Sequence, residues 1–127
     1  MNAVPAEQHV HPEDAVRVRL HDAGDVPGAL VLSVAGAVDL LTSSQVSDAV
    51  TAALSRRPQV LVIDLSAVTF LDSTGLSVLA QAQAAGRAIE LRVVAPEDGM
   101  PRRAIALTGM ESLLLVFPTL AAALAAG

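Results

Sequence analysis

The chain has no cysteine, no tryptophan and no tyrosine, and only two phenylalanines in 127 residues. Without cysteine there is no disulfide, no thiol nucleophile, no redox thiol and no cysteine-ligated metal, and the composition suits a reducing compartment. Phe70 and Phe117 alone make no platform on which unpaired bases could stack. Lysine is missing too, since all eight basic residues are arginine, which removes a Ser–Lys dyad and any Walker-type phosphate lysine. A net charge of −5 repels a phosphate backbone, so no nucleic acid is expected as a partner. No apolar run is long enough for a bilayer. The tail from Leu113 to Ala126 falls short of the roughly 20 residues required, and Pro118 divides it. Met1 to Asp14 lacks the apolar stretch of a signal peptide. These absences predict a cytoplasmic protein without membrane insertion.

What is present fits a globular α/β domain: 53% hydrophobic residues, 17% charged, and enough length for one real core. Residues 1–14 mix Pro, Glu, Gln, His and Asp without periodicity, which predicts a flexible leader before a single domain over 15–127. Val16, Val18 and Leu20 alternate with Arg17, Arg19 and His21, the pattern of a half-exposed strand. After the turn residues Gly24 to Gly28, Leu30 to Val34 return as the second arm of an antiparallel hairpin. Gly36-Ala37-Val38-Asp39 ends that strand and enters a helix.

Val46, Ala49, Val50, Ala53 and Leu54 follow the spacing of an amphipathic helix. Thr42 and Gln45 have capping-box spacing at its start, Arg56 and Arg57 complement the dipole at its end, and Pro58 stops it. Val60 to Leu65 is a nearly continuous apolar run, as in a parallel strand covered on both faces. A second helix runs from Leu76 to Ala85. Ile89, Leu91 and Val93 alternate with Glu90 and Arg92, predicting another half-exposed strand. Pro101 to Leu107 reads as a short helix punctuated by Gly109. Leu113 to Phe117 reads as a short buried strand, followed by a helix with Pro118 in its first turn. The predicted order is β-β-α-β-α-β-α-β-α: a mixed sheet of roughly four to five strands, about four helices, and helices on at least one face. Oligomeric state stays open, although the strand from Val16 to His21 offers a pairing edge if it lies outermost.

The most informative string is Asp72-Ser73-Thr74-Gly75, between the buried strand and the second helix. Asp72 or Ser73 sits where an N-cap belongs, and a hydroxyl at the mouth of such a turn is reachable. As a hydrolase nucleophile it has little support. The string is not Gly-x-Ser-x-Gly, and the histidines, His9, His11 and His21, fall in the leader and on the first strand. His9-Val10-His11 has no third metal ligand nearby, and caps and turns explain Asp39, Asp64 and Asp72 as well as a magnesium cluster would. No metal or cofactor is expected. As a modification site the turn makes physical sense, because a helix N-terminus stabilises an added phosphate while a docked partner would not. Ser73, Ser77 and Gln81 form one i+4 stripe there. Arg102 and Arg103 are either a solvated face or a contact for an acidic patch.

From Leu30 onward the chain resembles the STAS domain of bacterial anti-sigma factor antagonists. The resemblance is carried by Gly36-Ala37-Val38-Asp39, by Leu61-Val62-Ile63-Asp64-Leu65-Ser66, and by Val68-Thr69-Phe70-Leu71-Asp72-Ser73-Thr74-Gly75-Leu76. Leu107-Thr108-Gly109-Met110 is similar to the family's motif before its last strand. The resemblance implies a STAS-like fold and a partner switch rather than an enzyme. An anti-sigma factor that is itself a serine kinase would bind the unphosphorylated chain, freeing a sigma factor, and would end the complex by phosphorylating Ser73. A serine phosphatase would restore it. Ser73 is then the phosphoacceptor, ahead of Thr74, and Asp39, Asp72, Ser73, Thr74 and Ser77 face the partner. Ala37 departs from the glutamate or other polar residue common in the family. The alternative that the resemblance leaves is a non-switching subunit of a stressosome-like scaffold or of a lipid-transport ATPase complex.

Overall fold

A computed structural model describes residues 16–86 and 88–126. The expected leader, with His9 and His11, and its boundary with the domain lie outside the described residues. Strands β1 (Arg17–Asp22) and β2 (Ala29–Val38) form the antiparallel hairpin, with Arg17 opposite Ala35 and Asp22 opposite Leu30. Helix α1 (Ser43–Ser55) leads to β3 (Val60–Leu71), which lies parallel to β2, and α2 (Ser73–Ala85) leads to β4 (Glu90–Val94). Helix α3 (Met100–Leu107), β5 (Leu115–Phe117) and α4 (Leu120–Ala125) complete the expected order. The five strands lie in sequence order across one mixed sheet, which puts β1 at an edge.

Both faces of the middle of this sheet are covered, which is why β2 and β3 carry apolar residues at successive positions. Leu30, Leu32, Leu61, Ile63, Leu91 and Val93 point into a core roofed by α1, α2 and α3. Val31, Val62 and Val94 point the other way, against Ala123 of α4. Leu61, Ile63 and Val93 have no exposed surface, and each such side chain stabilises the fold by about 1.5–3 kcal/mol.

Strand β3 outruns its neighbour on one side. It pairs with β4 only from Val60 to Asp64, but with β2 as far as Val38 opposite Leu71. Two register irregularities, at Ser33–Ala35 and Gly36–Ala37 of β2, let β3 fit an extra residue at each point. The β2–β3 ribbon therefore projects beyond the rest of the sheet, with α3 packed against β3. Val68 and Leu71 tie the segment that leads into Ser73 to the core.

Four local expectations need correction. Arg92 is buried, not on an open face, because α4 lies over it: Nη1 donates to the Ala123 carbonyl and Nε to Glu90 Oε2, each at 2.6 Å. Period-two alternation identifies a second face but not what covers it. The last strand is shorter and more exposed than expected, with Leu113 in the preceding turn and Leu115 half in solvent, since β5 is an edge. Pro118 precedes α4, whose N-cap is Thr119, with Oγ1 accepting from the Ala122 amide at 3.0 Å. Thr42 does cap α1, yet without a capping box: its hydroxyl is drawn back into the preceding turn.

Candidate functional site

Strands β2 and β3 run parallel, so the turns that follow them emerge side by side. The Asp72 amide donates to the Val38 carbonyl at 3.2 Å, tying one turn to the strand that feeds the other. Asp72 is the N-cap of α2, in extended conformation. Its Oδ1 accepts from the Thr74 amide at 2.9 Å, from the Gly75 amide at 3.3 Å, and from the Thr74 hydroxyl. The amides are orphan donors of the helix's first turn. The Thr74 hydroxyl above all, then the Gly75 and Thr74 amides, hold the Asp72 carboxyl below the usual carboxylate range.

Gly75 sets how closely α2 approaches the ribbon. A methyl group there would fall 2.9 Å from Val38 Cγ1 and nearer still to Leu71 Cδ1, well inside van der Waals contact. Glycine lets the first turn of α2 sit directly on the ends of β2 and β3. Ser73 then projects from a fixed platform. It is exposed, and its hydroxyl has no hydrogen-bond partner among the described residues. Thr74 is half-buried and its hydroxyl is committed to Asp72. Of the two hydroxyls, that of Ser73 is the exposed one.

The turn after β2 is built with the same chemistry. Asp39 Oδ1 accepts from the Leu41 amide at 3.0 Å, the Thr42 amide at 3.2 Å and the Thr42 hydroxyl at 3.2 Å. That hydroxyl also lies 2.8 Å from the Ala37 carbonyl, and its oxygen accepts from the Asp39 amide at 2.9 Å. One oxygen of Asp39 is thus spent on its own turn, making it a positioning residue for whatever the turn displays. What it displays are Leu40 and Leu41, two leucines that sequence reasoning passed over. The available signal was an apolar pair between an acid and a helix cap, ahead of the buried positions Val46, Val50 and Ala53.

A shallow groove of about 270 Å³ runs between α1 and α2, with Ser43, Ser44 and Ser47 on one wall and Thr74, Ser77 and Gln81 on the other. The structure therefore brings Asp39, Asp72, Ser73, Thr74 and Ser77 to one edge and adds the α1 hydroxyls to them. Phe70, just before this edge, is 45% exposed. A larger cleft of about 430 Å³ lies at the far ends of α1 and α2, lined by Leu54, Arg57 and Gly86 among others.

The other candidate residues stand apart. His21 Nε2 lies 3.2 Å from Ser33 Oγ, so the imidazole is engaged on the hairpin near its turn. Asp64 Oδ1 accepts from the amide and hydroxyl of Ser66, at 2.9 and 2.6 Å. Among the described residues, no three His, Asp or Glu side chains converge as metal ligands. Arg103 is exposed, whereas Arg102 is half-buried with Nε enclosed and unpaired among the described residues. No described helix is long and apolar enough to cross a membrane.

The profile of the STAS domain family matches residues 22–123, from the end of β1 into α4. The chain belongs to the STAS domain family. This STAS domain is 38% identical over 108 residues to the anti-sigma-F factor antagonist RsfB of Mycobacterium tuberculosis, covering 84% of this chain and 85% of that protein. It superposes on the crystal structure of an anti-sigma factor antagonist from Mycobacterium paratuberculosis with a TM-score of 0.81 at 36% identity, over 91% of this chain and 96% of that one. The fold also matches the Bacillus cell fate determinant SpoIIAA in its phosphorylated form, with a TM-score of 0.58 at 15% identity over 84% and 96% of the two chains. These relatives are regulators rather than enzymes by name.

Proposed function

We propose that this STAS domain is a cytoplasmic anti-sigma factor antagonist that binds an anti-sigma factor serine kinase while Ser73 is unmodified and leaves it once Ser73 is phosphorylated. The observation that carries this reading is the exposed, unpartnered Ser73 hydroxyl at the first residue of α2. The partner kinase moves the γ-phosphoryl group of ATP to Ser73 Oγ. The bond to ADP breaks, and the hydroxyl proton passes to a base on the kinase. A serine phosphatase reverses the state by hydrolysis, returning the serine and inorganic phosphate. In this cycle the domain is a substrate and a ligand, and itself catalyses nothing.

The physical logic favours a surface switch over a folding switch. The product phosphate carries about −1.5 to −2 charges. It meets the free amides and positive end of α2, so the host fold tolerates it. A partner lying over the same edge does not, because it must desolvate that charge. The names of the relatives at 38% and 36% identity support the antagonist role. The existence of SpoIIAA in a phosphorylated form, on the same fold, supports the chemistry.

The test is transfer of one phosphate. Incubated with the cognate anti-sigma kinase and ATP, the wild-type chain should gain a single phosphoryl mass located at Ser73 by peptide fragmentation, and Ser73→Ala should gain none. Phosphate on Thr74, or none on the wild type, would remove Ser73 as the switch.

A further inference from the structure

We propose that Leu40 and Leu41 are the apolar anchors of the anti-sigma factor complex, held out by the Asp39 turn to enter an apolar recess on that partner. The inference rests on the antagonist reading above and names residues for it. The two side chains are 74% and 78% exposed, adjacent, and part of neither core cluster. Burial begins beyond them, at the N-cap Thr42 and at Val46 of α1. Nothing in the domain's own packing therefore calls for leucine at either position, and a polar turn would serve the fold as well.

The turn that carries them is not slack. Bonds from the Leu41 and Thr42 amides to Asp39 Oδ1, and from the Thr42 hydroxyl to the Ala37 carbonyl, fix its backbone before any partner arrives. Fixing a contact loop in advance lowers the ordering cost of association. The position also matters. The Val38 carbonyl and Asp72 amide are bonded across the two turns, so one partner surface can cover the leucines and Ser73 together. The hydroxyl-lined groove of Ser43, Ser47, Thr74 and Ser77 adjoins them. An apolar centre beside a polar margin is the usual make-up of a protein–protein contact. The remaining exposed leucines, Leu107, Leu113 and Leu115, fall where α3 ends and the edge strand β5 begins, away from the turn after β2 in the chain.

The test compares the full chain with Leu40→Ser/Leu41→Ser, each single change, and Leu40→Met/Leu41→Met. The readout is affinity for the anti-sigma factor that phosphorylates the chain, with sedimentation of the free chain alongside. The double serine variant should keep the wild-type thermal midpoint and lose roughly tenfold to thirtyfold in affinity, the scale of a lost apolar anchor. The methionine pair should bind nearly as wild type. If the double serine variant binds as wild type while Ser73→Asp is weakened, the leucine inference falls and the switch stands. A loss with the leucines but none with Ser73→Asp keeps the anchors and removes the switch. If neither affects binding, both fall. Dissociation of a self-associated chain by the serine pair, with partner affinity unchanged, would make this a self-contact and overturn the proposal.

Discussion

The two turns at the projecting end of the β2–β3 ribbon use one device for different ends. In each, the aspartate that follows the strand accepts two backbone amides and a threonine hydroxyl on the same oxygen. Asp72 is itself the helix cap, so the residue after it, Ser73, is already the first of α2 and stands at its positive end. Asp39 lies three residues before its cap, Thr42, and the two residues between are forced out into solvent as leucines. One turn therefore displays a hydroxyl where an anion is welcome to the fold, and the other displays apolar surface where an anion would be out of place. The spacing between acid and cap decides which.

The largest test of that division concerns the charge itself. Ser73→Asp should weaken the complex with the anti-sigma kinase by about a hundredfold, equivalent to about 2.7 kcal/mol, whereas Ser73→Ala should bind nearly as wild type. Equal binding of Ser73→Asp, measured by titration calorimetry, would break the assignment of the switch to this turn. Gly75→Ala comes next. The added methyl group meets Val38 and Leu71, and overpacking of this kind costs about 1–3 kcal/mol. Urea unfolding should show it as a lower midpoint at unchanged slope, with no equivalent at Asp39, where no glycine follows.

Asp39→Ala should cost about 1 kcal/mol of stability through the lost hydrogen bonds and lower partner affinity by freeing the leucines to wander. Asp39→Asn, which keeps an acceptor oxygen, should restore much of both, and equal damage from the two substitutions would argue against a positioning role. The smallest effect is in pH. The Asp72 carboxyl is held below its ordinary range by the Thr74 hydroxyl and the first-turn amides. Its contribution is fully present above the ordinary carboxylate pKa and is lost as pH falls through the lowered one. Asp72→Asn should flatten the stability profile below about pH 4 relative to wild type. An unchanged acid limb in chemical denaturation would show that Asp72 does not carry it.

Sequence reasoning reached the element order because each element has its own period: two at Val16 to Leu20, 3.6 at Val46 to Leu54, and continuous at Val60 to Leu65. It placed Asp72 and Ser73 at the start of a helix because a cap is a local signal. It missed what only the assembled chain decides. Arg92 looks like a solvent-facing alternation until α4 lies across it. Gln45 has the spacing for a capping box with Thr42, but Asp39 and the Ala37 carbonyl reach that hydroxyl first. Leu40 and Leu41 carry no periodic signal of their own, and only the Asp39 turn shows that they face outward.

The hold of Arg92 on α4 has a consequence for the C-terminal tail. Its acceptor there is the Ala123 carbonyl, a group that every residue type carries. Position 123 must be small enough to lie fully enclosed against Val31, Val62 and Val94, yet the bond itself is blind to the letter written there. A variant chain cut before that point would leave a guanidinium in the interior without its carbonyl. Substitution along this tail should therefore be forgiven far more readily than shortening.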